Sequence, residues 1–407
     1  MKVQRRVPPT VAPIAAKALL LGLAGFFLGR RYLTKLEAEI KQRFGVKHVF
    51  LVSSGKAALA LILVALKELS AKTQVIIPAY TCFSVPSAIV KAGLEIALCD
   101  IDPVSLDLDD DLLEKTVGSD TLCVIPNHLF GIPSDVDRIN QICRQRGIFV
   151  VEDAAQAMGG RSNGKMLGTM GDVGFFSLGR GKNITCGSGG IIVTNSDKIA
   201  QAISDEYSTV PSPNMLESVK EFVVFVLMAI FIRPSLYWFP HGLPFLQLGQ
   251  TRFYKDFPMK RLSGMKAGLL QNWWEDLNQS NGSRAATAAY FEKHIGLRMI
   301  HPASISYLRL PVIVDSREQR DRIYSLASQR GLGISLMYPT AINEIEEIRV
   351  NFDGQVFPSA TKIAEGLLTL PTHQSLSEKD KRGICELIDD VLGFKHAARV
   401  SHRRQKA

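Results

Sequence analysis

Between residues 48 and 195 the chain alternates two patterns. Short apolar runs at 48–53, 121–126, 148–151, 173–176 and 191–194 are bounded by polar or small residues. Runs of that length suit strands of a parallel sheet buried on both faces. Between them stand stretches with helical spacing, such as AALALILVALKEL at 57–69 and DVDRINQICRQRG at 135–147. The second is expected to be capped at its start by Ser134 or Asp135. Two more apolar strands flank a helix within 73–102, and the second ends at Asp100-Ile101-Asp102-Pro103. This strand–helix alternation predicts a doubly wound sheet.

Past residue 300 the pattern changes: a strand at 307–314, a helix at 317–330, a strand at 333–338 and a last helix near 377–393. Two stretches are more apolar than either pattern requires. Residues 11–29, apolar apart from Lys17, come close to spanning length. Residues 222–232 form an apolar run too short for a straight span. A buried core or subunit-interface helix is the simpler expectation for it, and an interfacial membrane segment the alternative.

A chain of 407 residues has room for two domains and a large core. Its 46% hydrophobic and 21% charged content is that of a globular enzyme. None of the six cysteines forms a C-x-x-C pair, so no metal site or disulfide framework is expected, and a reducing cytoplasm is. The net charge of +9 draws partly on the ends, through Lys2, Arg5, Arg6, Arg399, Arg403, Arg404 and Lys406. Such ends favour an anionic membrane surface, so peripheral attachment to the inner face of the cell membrane is an expectation. No zinc finger, RNA-recognition signature or aromatic-interleaved basic patch is present, which argues against nucleic acid.

The candidate chemistry lies in 148–190, IFVVEDAAQAMGGRSNGKMLGTMGDVGFFSLGRGKNITCGSGG. In open α/β sheets ligands bind beyond the carboxyl ends of strands. The first strand here ends in Glu152-Asp153, the next in Ser177, and Lys182 follows five residues later. Singly, these could be a helix cap, a turn residue and a solvated lysine. A turn of small residues at Ser54-Gly55-Lys56, opening a helix, also has the character of a phosphate site.

As an ordered set the motifs resemble the DegT/DnrJ/EryC1/StrS family of sugar aminotransferases. The resemblance rests on Glu152-Asp153-Ala154-Ala155-Gln156, Ser177, Lys182-Asn183 and Gly187-Ser188-Gly189-Gly190, and covers roughly 30–205 and 260–395. It implies the fold-type-I, aspartate-aminotransferase-like architecture: a large doubly wound, mostly parallel α/β domain and a smaller C-terminal α/β domain. The chain then divides into an N-terminal segment at 1–30, a large domain at 31–260 with an apolar insertion near 215–250, a connecting helix and small domain at 261–395, and a basic tail at 396–407.

The resemblance implies pyridoxal 5'-phosphate as cofactor. Lys182 would hold it covalently and move the substrate proton. Asp153 would keep its ring nitrogen protonated, so that the ring can act as an electron sink. Gln156 would bond the ring hydroxyl, Ser177 and the Ser54-Gly55-Lys56 turn the phosphate, and Cys82 stands where the family stacks an aromatic. A lysine in place of histidine argues against the family's dehydratase branch. The implied activity moves an amino group, from glutamate, onto a keto sugar linked to a nucleotide, in a homodimer serving polysaccharide or glycoconjugate synthesis. The chain departs from the family at Lys56, Cys82, Met158, Ser188 and Met259. A relative that kept the fold and lost activity is the alternative. A pyridoxal enzyme of another reaction type is a third reading.

Overall fold

The computed structural model describes residues 5–246, 248–249, 251–296 and 305–393. The basic tail at 396–407 and Lys2 lie outside them. Helix α1 (Ala16–Phe44) precedes β1 (His48–Val52), α2 (Gly55–Leu69), β2 (Gln74–Pro78), α3 (Ser84–Lys91), β3 (Glu95–Cys99), α4 (Asp110–Thr116), β4 (Thr121–Val124), α5 (Val136–Arg144) and β5 (Phe149–Asp153). A small hairpin, β6 (Arg161–Ser162) and β7 (Lys165–Met166), leads to β8 (Val173–Ser177), β9 (Gly190–Thr194) and α6 (Asp197–Thr209).

These strands, without the hairpin, form a seven-stranded sheet in the order β1-β9-β8-β5-β4-β2-β3. From β3 to β8 the pairings are parallel, whereas β9 runs antiparallel to both β8 and β1. Helices cover both faces, which is why the strands read as continuous apolar runs. On one face α2, with nine of its residues buried, packs against β1, β8 and β9. On the other, Leu36, Ile40 and Phe44 of α1 join Phe176, Ile191 and Trp273 in one apolar cluster. Asp135, rather than Ser134, caps α5, accepting a bond from the Arg138 N–H.

The 205–260 stretch folds as α7 (Met215–Phe231) and α8 (Trp238–His241), with α9 (Gly264–Leu269) and the long α10 (Trp273–His294) after it. The small domain pairs β10 (Arg309–Ile313) with β11 (Leu367–Pro371) and packs α11 (Arg317–Arg330), α12 (Pro358–Gly366) and α13 (Glu378–Leu392) around them.

Three expectations are corrected. The strand expected at 333–338 is reduced to one bridge, Ser335 to Thr369, and its partner β11 comes instead from 367–371. The 222–232 run does not lie in the core, which leaves the subunit-interface and interfacial-membrane readings: of α7 only Ser218 and Phe225 are buried. The break at residue 30 falls inside α1, which runs unbroken in its hydrogen bonding apart from a kink at Leu28. Ahead of α1, residues 5–15 are extended and thread between the domains, with Val7, Val11 and Ala12 buried. Among the described residues no helix is long and apolar enough to cross a membrane.

Candidate active site

Asp153 is the last residue of β5, and its carboxylate is clamped from two sides. Asn127 donates Nδ2 to Oδ2 at 3.0 Å and to Thr81 Oγ1 at 2.7 Å. The Ala155 N–H donates to Oδ1 at 3.0 Å. Pleating turns the preceding Glu152 to the other side. There the Glu152 carboxylate takes His128 Nε2–H at 3.0 Å and the N–H groups of Gly168, Met170 and Gly171. His128 Nδ1 accepts from the Ser134 N–H, which fixes that tautomer. The two acids thus divide: Glu152 is a fully bonded strut, and Asp153 faces the site.

Lys182 follows the turn after β8. Burial pushes its ammonium below the usual lysine range, while the Cys82 sulfur and the Asp153 carboxylate push it back up. Burial likewise lifts the Asp153 carboxyl, with the Ala155 N–H and Lys182 opposing. The Lys182 loop is held from outside the sheet. Thr10 Oγ1 donates to the Gly181 carbonyl at 2.9 Å, and the buried Arg284 reaches the carbonyls of Val11 at 2.7 Å and Lys182 at 3.5 Å. Asn183 donates to Asn281, which in turn donates to the Met158 carbonyl. A side chain at Gly181 would meet Thr10 Cγ2 at 2.3 Å, and its φ of +70° also favours glycine.

Ser177, at the end of β8, lies against the N-terminus of α2. A Cβ at Gly55 would sit 3.0 Å from Ser177 Cβ and 3.2 Å from its Oγ. Ser54 Oγ accepts the Ala57 N–H. The earlier N–H groups of the helix have no acceptor within it, so they and the Ser177 hydroxyl form a cradle for an anion. Lys56 does not close that cradle. Its ammonium lies over the rings of Tyr254 and Phe257, 4.3 and 4.8 Å from their centroids.

Gln156 donates Nε2 to the Tyr338 hydroxyl at 2.8 Å, leaving its buried Oε1 without a partner. Tyr338 is buried with a positive φ of 44°, and it also bonds Cys82. Phe83 lies in the apolar core, so the aromatic beside Cys82 is Tyr338. Tyr338 and Asn127 are the residues that reading the sequence missed. The only signal for Asn127 was its place just past a strand end. His373, which the sequence leaves unassigned, is structural: it is fully enclosed and bonds the Pro8 carbonyl at 2.9 Å.

A carboxylate at a strand end, an anion cradle, a half-buried lysine and an unpartnered amide oxygen fit pyridoxal phosphate. Among the described residues no group of histidine, cysteine and carboxylate side chains could hold a metal ion. The sequence pattern of the DegT/DnrJ/EryC1/StrS aminotransferase family matches residues 22–214 and 250–389.

The chain belongs to that family.

This protein is a pyridoxal-phosphate-dependent aminotransferase. It is 27% identical to the Geobacillus stearothermophilus "Pleiotropic regulatory protein" over 383 residues, 92% of each chain. It is 34% identical to GDP-perosamine synthase of Vibrio cholerae over 169 residues, 42% of this chain and 46% of that one. Among solved structures, Helicobacter pylori PseC, an aminotransferase involved in the biosynthesis of pseudoaminic acid, superposes with a TM-score of 0.77. The identity is 16%, covering 95% of this chain and 99% of that one. CalS13 of Micromonospora echinospora, a sugar aminotransferase, gives 0.76 at 20% identity, covering 94% and 99%.

The family match omits 215–249, where this aminotransferase carries α7 and α8. That insertion accounts for one departure. Ser188 stands where a glutamate is common, and Glu221 of α7 brings a carboxylate to the same place: Lys266 donates to Ser188 Oγ at 2.9 Å and to Glu221 Oε1 at 2.6 Å. Met158 is buried in the cluster around Trp273, and Met259 packs on the main core.

Proposed function

We propose that this aminotransferase moves an amino group from glutamate onto a keto sugar linked to a nucleotide. The exchange is balanced: the donor leaves as an oxo acid, the keto sugar as an amino sugar, with no net oxidation. Relatives named for perosamine and pseudoaminic acid synthesis support the substrate class. The observation that carries the reading is the half-buried Lys182 near the buried Asp153 at one sheet edge, close enough that each charge acts on the other.

In this reading Asp153, oriented by Asn127 and Ala155, holds a proton on the cofactor's ring nitrogen. The bound cofactor supplies the electron sink. Ser177 and the start of α2, at Ser54 and Gly55, hold its phosphate, and Gln156 Oε1 takes the ring hydroxyl. Lys182, whose ammonium burial pushes below the usual lysine range, first binds the cofactor and then takes and returns the substrate proton. Tyr338 fixes Gln156 and, with Cys82, lines the same space. We further propose a homodimer that works in the cytoplasm, peripherally on the membrane.

The test is spectroscopic. Protein loaded with pyridoxal phosphate should show a visible band that borohydride removes, leaving the cofactor on the Lys182 peptide. Lys182→Ala should show neither the reducible band nor the labelled peptide. An unchanged band in that variant sinks the assignment.

A further inference from the structure

Arg309 is the first residue of β10, and its side chain reaches toward the large domain, where its charge acts on Lys182, Tyr338 and Tyr237. Arg284 lies near enough to feel it too, and the two arginines differ in what they bond. Arg284 is fully enclosed. Its guanidinium spreads over the Ser280 and Thr372 hydroxyls and the carbonyls of Leu308, Val11 and Lys182, so the fold uses all of it. Arg309 is half-buried and is not used up in this way. Among the described residues only its Nη1 finds acceptors, Ser335 Oγ at 2.9 Å and Met337 Sδ at 3.4 Å, and a thioether is a weak one. Its Nε is buried without a partner. The groups acting on its charge are the Tyr338 and Tyr237 hydroxyls, and no carboxylate is among them. A guanidinium keeps its charge in such a setting, and a charge taken out of water unpaired is costly, so the site calls for an anion.

The surroundings say which anion. The cofactor's phosphate has its own cradle at Ser177 and the start of α2. The cations near Arg309 are engaged, Arg284 by carbonyls and hydroxyls and Lys182 by its part in the reaction. What remains is one planar fork of N–H groups carrying one charge, which matches a carboxylate. The reaction brings a carboxylate here. The donor's amine must reach the atom that Lys182 would hold, and its α-carboxylate stands on the same carbon as that amine. A neutral keto sugar has no use for the charge. Tyr237 closes this side of the site. It comes from 215–249, which the family match omits, and Arg6 N–H holds that stretch through the Pro234 carbonyl at 2.8 Å.

We infer that Arg309 seats a carboxylate of the amino donor. This rests on the proposed transfer from glutamate and names the residue that recognises the donor. The test uses the full chain loaded with pyridoxal phosphate and measures binding of glutarate, a dicarboxylate without an amine, by calorimetry. Arg309→Gln should weaken glutarate by roughly tenfold or more, and Arg309→Lys, which keeps the charge but not the fork, by less. Ser335→Ala removes an internal prop of the guanidinium and should leave the affinity within about twofold. Glutarate binding that is absent in the wild type, or unmoved in Arg309→Gln, overturns the inference. So does D-glucuronate binding tighter than glutarate through Arg309, which would give the site to an acidic sugar. The donor half of the reaction, followed as loss of the visible band, then locates the group. A raised half-saturating concentration in Arg309→Gln for both L-glutamate and L-alanine assigns the α-carboxylate, and for glutamate alone the side-chain one. Wild-type protein that binds glutarate through Arg309 yet keeps its band with glutamate would remove the glutamate reading and leave the carboxylate seat standing.

Discussion

The nearness of Asp153 to Lys182 makes the site's charge state a matter of two opposed effects. Burial lowers the Lys182 pKa, and the Asp153 carboxylate raises it. Replacing that carboxylate by a neutral amide removes a raising influence, so the Lys182 pKa in Asp153→Asn falls further. The pH midpoint for adduct formation with pyridoxal phosphate should therefore move down relative to wild type. A stopped-flow pH series checks this, and a midpoint that stays put or rises would rule out the coupling. Asp153, Ser177 and Lys182 were readable as a set because strand ends place them at one edge at fixed spacing. Tyr338 was not, because it arrives from 182 residues beyond Gln156, on a backbone that no periodic pattern announces. Lys56 was readable as a cation near the phosphate turn, yet its direction was set by Tyr254 and Phe257, contributed from a distant segment.

At the scale of elements, the apolar run 11–29 illustrates how composition misleads. Its glycines are contact points. A Cβ at Gly25 would lie 2.4 Å from the Gly264 carbonyl oxygen, and one at Gly29 would lie 2.8 Å from Gly264 Cα. Helices α1 and α9 cross with backbones touching, so small residues serve packing here, as they do between close-packed helices elsewhere. Alanine is the better helix former by about 1 kcal/mol, but overpacking against rigid backbone costs about 1–3 kcal/mol. Gly25→Ala should thus be destabilising on balance, lowering the midpoint of denaturant unfolding. Equal or higher stability would mean that the crossing can open. The strands of the large sheet were legible because two-sided burial makes them uniformly apolar. The 333–338 stretch was misread because Tyr338 and Gly333 adopt positive φ, which no regular strand permits. The antiparallel turn of β9 is a matter of connection, invisible to an apolar run.

For the whole molecule, α1 and α7 touch through Phe26 and Phe222, and Lys17, Arg30 and Arg31 are exposed along α1. Each basic side chain near an anionic leaflet contributes about 1 kcal/mol, and a buried aromatic adds to that. The protein should co-sediment with anionic vesicles at low salt and be released as salt screens the charges. Phe27→Gln, at a residue 88% exposed, should weaken sedimentation without altering the cofactor band. Equal sedimentation of the variant and the wild type would dismiss this face as the contact. Deleting residues 1–29 would be a poor probe, because residues 5–12 are bonded across both domains. Val7 N–H donates to the Gly331 carbonyl, the Pro8 carbonyl takes His373, and Arg5 pairs with Asp380. These partners have a bearing on synthesis. Residues 5–12 leave the ribosome well before their seats, which reach as far along the chain as His373 and Asp380, have been made. The strap must wait, with Val7 and Val11 uncovered, until Arg284, Gly331 and His373 have emerged, so a chain stalled short of the small domain cannot seat the strap that holds the carbonyls beside Lys182.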